Sequence, residues 1–204
     1  MIFTAVTFYT NDYYREQIKT LSNSCKKFEI PLIVTEVEDK GSWVKNCAFK
    51  AYYLYEMLHT TNTNIVWLDA DSCIMKYPEL FGSIKEDFAV RAEPGLRTKK
   101  PVGREVISLP ENWPKDIDPC WFNSGTIFLK NNDKTKELCR RWLQLSTTNV
   151  SDWDQWTLQQ AWCDVQPSTY WLPKEYCQIK KIHGEQGSVI LHELASVAQK
   201  VDRS

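Results

Sequence analysis

Hydrophobic and polar positions in the first third of the chain alternate between two periods. Ile2 to Phe8 is a short apolar run that predicts a strand. Tyr14, Ile18, Leu21, Cys25 and Phe28 then recur at spacings of four and three, which is one face of a helix. Pro31 opens a second predicted strand, Leu32 to Val37. Ser42 to Leu58 reads as a helix, with Val44, Cys47, Ala48, Ala51, Leu54, Tyr55 and Leu58 on its buried side. After the polar turn from Thr60 to Asn64, Ile65 to Leu68 is a third strand. Strand–helix–strand–helix–strand with short links implies an α/β fold, a parallel sheet covered by helices.

The pattern loosens in the second half. Asp87 to Arg91 predicts a short strand, and residues 92–120 carry Pro94, Pro101, Pro110, Pro114 and Pro119. With Gly95, Gly103, Arg97, Lys99, Lys100 and Arg104, this is a long irregular segment, either a binding loop or a surface excursion with solvated charges. Trp121 to Leu129 returns as a strand, and Lys134 to Leu145 as a helix with Leu138, Cys139, Trp142 and Leu145 inward. Ser151-Asp152-Trp153-Asp154 has the form of a capping box opening a helix through about Trp162. Tyr170 to Leu172 and Ser188 to Leu191 read as short strands.

Candidate chemistry concentrates where the third strand ends, at Leu68-Asp69-Ala70-Asp71-Ser72. Side chains at i and i+2 of an extended segment point the same way, so Asp69 and Asp71 converge at the carboxyl edge of the sheet, where open α/β folds bind ligands. Two acids there repel one another unless a cation or donors compensate them. A hard divalent ion, Mn²⁺ or Mg²⁺, shared with a substrate phosphate would do so. The plainer alternative is a pair of carboxylates capping the next turn. Phe122-Asn123-Ser124-Gly125 places an amide and a hydroxyl beside a glycine, which suits either close approach to a ligand or a β-bulge. Asp154-Gln155 at a helix start would bind sugar hydroxyls, or simply satisfy backbone donors. His192, after an apolar run, is a good third ligand for Mn²⁺ if it is not structural. Lys50 precedes the carboxylate strand on a helix, where the default reading is a solvated side chain. His59 and His183 have no such setting.

Composition narrows the field. The 204 residues are 43% apolar and 13% aromatic, enough for a globular core in one domain, residues 1–204. Formal net charge is −1 with no long basic block, which excludes sequence-independent nucleic-acid binding. Seven cysteines, an odd number with no CxxC pair, read as small core hydrophobes rather than a disulfide or zinc framework. Met1 to Thr10 lacks the basic start of a leader, and no apolar run approaches the ~18 residues of a membrane span. These features lead to the expectation of a reducing, cytoplasmic setting without a membrane span.

In this order, the motifs resemble those of the GT-A glycosyltransferases, nearest the glycogenin-like retaining branch. The small size is similar to that of transferases encoded by large algal viruses. The likeness runs from Thr7 to Ser196. It implies that Thr7 and the Tyr9-Thr10-Asn11-Asp12-Tyr13 turn hold the base and ribose, and that Lys50 lies near the donor. Leu68-Asp69-Ala70-Asp71 resembles the DxD signature that binds Mn²⁺ (or Mg²⁺) on a donor diphosphate, with His192 as the third ligand. Asn123, Ser124, Asp154 and Gln155 are similar to the FNSG and DQ residues that face the donor sugar. Leu172-Pro173 and Tyr176 match an LPxxYN element, with Cys177 in place of its Asn. After His192 the family continues to Gly and Lys-Pro-Trp, whereas this chain reads Glu193-Leu194-Ala195-Ser196. The basic contact to the diphosphate is then expected from Lys200, Arg203 or the 97–104 loop.

The resemblance thus implies a GT-A (Rossmann-like) fold with a mixed, mostly parallel sheet. Residues up to about 91 would bind the nucleotide, and residues 92–204 the sugar and acceptor. The expected activity is metal-dependent transfer of a hexose or deoxyhexose from a UDP-sugar to a glycan or glycoprotein hydroxyl, with retention. If the reaction inverts instead, Asp154 is the candidate general base. Two alternatives stand beside it: a haloacid-dehalogenase-like phosphotransferase, whose DxD belongs to the first strand rather than the third, and a non-catalytic nucleotide-sugar binding domain.

Overall fold

The computed structural model describes residues 3–95, 109–148 and 153–193. Its centre is a six-stranded sheet in the order β2-β1-β3-β6-β5-β7. Strand β1 (Phe3–Tyr9) leads through helix α1 (Asp12–Lys27) to β2 (Leu32–Glu36). Helix α2 (Trp43–Thr60) then carries the chain across β1 to β3 (Asn64–Leu68). Because β2 and β3 flank β1 on opposite sides, connections diverge at its carboxyl end and open the crevice where such sheets bind ligands.

The rest of the sheet is β5 (Phe88–Pro94), β6 (Cys120–Leu129) and β7 (Thr169–Trp171). Strand β6 runs antiparallel to both neighbours, β3 and β5, while β7 is parallel to β5. Five strands therefore share one direction and β6 alone is reversed. All ten residues of β6 are buried, as expected for a central strand covered on both faces.

Alternate residues feed two cores. Phe3, Ala5, Val66, Leu68 and Phe128 meet the α1 side chains Ile18, Leu21 and Cys25 on one face. Val6, Phe8, Ile65, Trp67 and Ile127 meet α2, α3 (Asp133–Thr148) and α4 (Asp154–Val165) on the other. The apolar runs read as β1 and β3 are thus realised as strands buried on both sides.

Several features differ from the sequence expectations. Helix α4 has Asp154 as its first residue, with Trp153 before it. Ser151 and Asp152 lie outside the described residues. Strand β5 extends to Pro94, and residues 109–119 fold into turns that seat Trp113 against Phe122 and Trp162. Residues 96–108, with most of the basic loop, lie outside the described residues.

A second sheet, β4-β9-β8, was not anticipated: β4 (Ser72–Ile74), β8 (Gln178–Ile179) and β9 (Ile190–His192). Its strands are two or three residues long; β9 overlaps the short strand expected at Ser188 to Leu191, while β4 and β8 are too short for periodicity to detect. Its register pairs Ser72 with His192. A one-turn helix, α5 (Lys180–His183), links β8 to the loop before β9. His183 is half-buried there, with the Ile179 N–H donating to its Nδ1 at 3.1 Å and the Arg91 guanidinium 3.2 Å from its Nε2. All seven cysteines are free, but Cys47 and Cys73 are half-exposed rather than core.

Candidate active site

A cavity of about 360 Å³ opens at the carboxyl ends of β1 and β3. Of the residues singled out in the sequence, Tyr9, Thr10, Lys50, Asp69, Ala70, Asp71, Asn123, Ser124, Asp154, Gln155 and His192 line it, whereas Thr7, the Asn11-Asp12-Tyr13 turn, Leu172, Pro173, Tyr176 and Cys177 do not. Thr7 is fully buried in β1, and its Oγ1 has no hydrogen-bond partner among the described residues. Tyr9 stands at the cavity edge, its hydroxyl donating to Glu36 Oε2 at 3.0 Å.

Helix α2 presents Trp43, Asn46, Cys47 and Lys50 to the cavity. Those spacings of three, one and three place them on one helical face. Lys50 reaches the floor, where it is 5% exposed. Its ammonium donates to Asp154 Oδ2 at 2.8 Å, Asp69 Oδ1 at 3.0 Å, and both the carbonyl and the hydroxyl of Ser124 at 3.2 Å. Burial opposes a charge on Lys50, but Asp154 and Asp69 outweigh it and hold its pKa above the ordinary lysine value. The default reading of Lys50 as a solvated side chain is therefore wrong.

Strand β6 explains the Asn-Ser-Gly stretch. Its pairing with β5 jumps from Val90↔Ile127 to Arg91↔Asn123, so Ser124, Gly125 and Thr126 bulge from that ladder. The bulge and the close approach are both present. Thr126 pairs with Leu68 and the Gly125 carbonyl accepts from the Asp69 N–H, which extends the β3 ladder into the site. Ser124 Oγ donates to Asp154 Oδ2 at 2.7 Å. Asp154 is thus engaged by side chains from α2 and β6.

His192 arrives by a different route, the small sheet. It is 4% exposed, with Nδ1 3.1 Å from Ser72 Oγ and 3.9 Å from Asp71 Oδ1, and Nε2 3.0 Å from Thr126 Oγ1. Ligand atoms of Asp69, Asp71 and His192 all lie within 4.8 Å of one another. Burial works against a charge on His192, while Cys177 and Asp71 work for one, and the balance lies above the ordinary histidine value. A Cβ on Gly125 would sit 3.0 Å from His192 Cε1. Glycine is required at this position by the imidazole packed over it, not by a positive φ.

Two carboxylates and an imidazole fit a divalent cation such as Mn²⁺ or Mg²⁺. The charge balance agrees: Asp69, Asp71 and Asp154 face the cavity, against Lys50 as the one lysine or arginine lining it among the described residues. Lys200, Arg203 and the 97–104 loop, expected to supply a basic contact, lie outside the described residues.

The sequence reading missed part of the lining. Tyr14, assigned to the core face of α1, also borders the cavity; burial, then Cys47, Asp71 and Asp69, push its hydroxyl pKa up. Ile179 and Ile182 line it too, carried by β8 and α5. Trp43 and Trp153 were not singled out, although Trp43 lies seven residues before Lys50 on the same helical face.

Comparison with known proteins agrees with this geometry. A family model described as nucleotide-diphospho-sugar transferase matches residues 34–192. No curated protein sequence matches the chain. Among solved structures, one described as a glycosyltransferase involved in the glycosylation of the major capsid of PBCV-1 superposes with a TM-score of 0.65. The superposition covers 98% of each chain at 12% identity, a likeness that carries the GT-A fold alone. Among the described residues, no helix is long and apolar enough to cross a membrane.

Proposed function

The chain belongs to the nucleotide-diphospho-sugar transferase family, and on that premise we propose that it moves a hexose or deoxyhexose from a UDP-sugar to a hydroxyl of a glycan or glycoprotein acceptor, with a divalent cation and with retention. The observation that carries this reading is the meeting of Asp69, Asp71 and His192 in one cavity with Asn123, Asp154 and Gln155. Family membership also removes the phosphotransferase alternative for the same Asp pair.

In the reaction, the acceptor oxygen bonds to the anomeric carbon as the carbon–oxygen bond to the diphosphate breaks. The electron pair leaves on the diphosphate, and the hydroxyl proton follows it to a phosphate oxygen. Asp69, Asp71 and His192 would hold a divalent cation, which would supply Lewis-acid stabilisation of that leaving charge. The metal requirement has an electrostatic basis: a cavity with three carboxylates and one ammonium repels a free diphosphate. Asn123 and Gln155 orient the sugar hydroxyls together with Asp154. Lys50 and Ser124 engage one oxygen of Asp154, which fixes the carboxylate and disfavours its use as a general base. That engagement supports retention over inversion. Tyr9, Ala70 and Tyr14 border the end of the cavity next to β1 and the Asp pair, where the nucleotide would lie.

The test is titration calorimetry with UDP in Mn²⁺ and then in EDTA, with GDP and CMP as controls. Metal-dependent UDP binding that is lost in Asp71→Ala is expected, followed by turnover of a UDP-sugar. Absence of metal-dependent binding of any nucleotide would refute the reading. Binding without turnover across a UDP-sugar panel would favour the non-catalytic module.

A further inference from the structure

We propose that the tryptophan-lined end of the cavity is the acceptor subsite, and that it takes the ring of a sugar, so that the acceptor hydroxyl is itself on a carbohydrate. The inference rests on the transferase reading above and adds the chemical class of the second substrate.

Four of the nine tryptophans, Trp43, Trp121, Trp153 and Trp156, form a cluster separate from both cores of the sheet. Trp43 and Trp153 line the cavity and meet edge-on, with ring centroids 6.2 Å apart at 88°. Trp121 stacks on Trp156 at 6.3 Å and 11°, and meets Trp153 edge-on at 6.4 Å. The plain account of such a group is a small satellite core, and for Trp121, with 5% exposure, that account suffices. It does not explain why the cluster extends to the cavity wall through half-buried Trp43.

Position makes the wall informative. Trp43 and Lys50 share one face of α2, seven residues and therefore about 10 Å apart along the axis. Lys50 marks the floor, where Asp69 and Asp154 meet; Trp43 marks the outer end of the same wall. Trp153 immediately precedes Asp154 and Gln155, the pair proposed to orient the donor sugar. Trp121 Nε1 donates to Gln155 Oε1 at 3.0 Å, which sets which end of that carboxamide faces the indole. The tryptophans are thus continuous with the donor-sugar end of the cavity.

The chemistry fits a pyranose. A sugar ring has an apolar C–H face and a rim of hydroxyls; a flat indole offers area to the face at low entropy cost, and a few carboxylates and amides read the rim. Here half-buried Trp43 supplies the area, backed edge-on by buried Trp153, and Asp154 and Gln155 supply the polar groups. A peptide acceptor makes different demands, namely backbone pairing along a sheet edge or complementary charge. This end of the cavity is formed instead by the starts of two helices, with Asp154 as its charged group.

The test uses the full chain with Mn²⁺ and saturating UDP, titrated with methyl glycosides and disaccharides of common hexoses and with hydroxyl-bearing peptides as controls. Indole fluorescence and calorimetry report binding. At least one glycoside is expected to saturate the wild-type signal while the peptides do not. Trp43→Ala should weaken that glycoside about tenfold, with UDP affinity held within about twofold, the size expected for losing an aromatic anchor. Trp43→Phe should restore most of the binding, which separates lost ring stacking from a damaged fold. The acceptor assignment is overturned if no glycoside binds, if the peptides bind and are glycosylated, or if Trp43→Ala weakens UDP or the UDP-sugar as much as the glycoside. Failure of the wild type to bind UDP with metal is a different result and removes the transferase reading itself.

Discussion

Replacing Lys50 with methionine isolates what the buried ammonium does. The lysine has three donors and four oxygen acceptors within 3.2 Å, two of them on carboxylates. Methionine retains most of the packing and leaves both acids uncompensated. Breaking a buried ion pair in this way costs about 3–5 kcal/mol. The two acids do not contribute equally: the Asp69 side chain is 38% exposed and its share is screened by solvent, whereas Asp154 at 7% carries most of the loss. The expected destabilisation is therefore about 3 kcal/mol, the lower end of that range, or a fall in Tm of roughly 6–12 °C for a chain of this size. Urea unfolding with an unchanged m-value would measure it. Adding Asp154→Asn to the methionine variant removes the worse of the two stranded charges and should recover at least about half of the loss. A loss below about 1 kcal/mol, or no recovery in the double variant, would refute the account of Lys50 as the counter-charge of this site.

Two other changes probe geometry and pH. Gly125→Ala puts a methyl group 3.0 Å from His192 Cε1. The imidazole must shift, at a stability cost of about 1–3 kcal/mol, and Mn²⁺ affinity by calorimetry should fall at least about tenfold; unchanged affinity would show that His192 is not a ligand. Asp87 ties the start of β5 to two loops, accepting from Ser168 Oγ at 2.6 Å and Asn132 Nδ2 at 2.7 Å. Burial raises its pKa, but these donors and Lys130 outweigh it, so its folded value is depressed. A depressed carboxylate stabilises the fold above its unfolded pKa, near 4, and the benefit is lost as pH falls through the folded value. Asp87→Asn should therefore lose about 1 kcal/mol at pH 7, after allowance for partial exposure, and nearly nothing near pH 3; an equal loss at both would contradict the linkage.

What the sequence made legible was what repeats. The four-and-three spacing of Tyr14 to Phe28 and the apolar runs of β1 and β3 located α1 and the central strands to within two residues. The Asp69–Asp71 spacing predicted two convergent acids because that geometry is local. The remainder depends on pairing at a distance. Nothing in Ser72-Cys73-Ile74 announces a strand, yet its register with Ile190–His192 brings His192 beside Asp71. Asp154 was readable either as a helix cap or, with Gln155, as a ligand for sugar hydroxyls. Its actual partners, Lys50 and Ser124, come from other elements. Gly125 was readable as a close approach, but the atom that approaches could not be named before β9 was in place. Cys47, taken as core from composition, faces the cavity because it shares a helical face with Lys50.

The Lys50 bridge also has a consequence for the order in which this molecule can assemble. Asp154 is 104 residues from Lys50 in the chain, and His192 is 120 residues from the Ser72 beside which it pairs. Contacts of such separation close late, because the loop entropy must be met before they repay it. During synthesis, β1, α1, β2, α2 and β3 can associate long before α4 and β9 leave the ribosome. In that interval Asp69 and Asp71 stand at the end of β3 without the imidazole, and Lys50 without its closer carboxylate. The cavity is therefore completed by the last third of the chain, and the sheet precedes the site. A nascent or truncated chain ending before α4 would hold the sheet centre and one helix wall, but no enclosed place for a sugar. Competence to bind thus reports synthesis of the chain through β9.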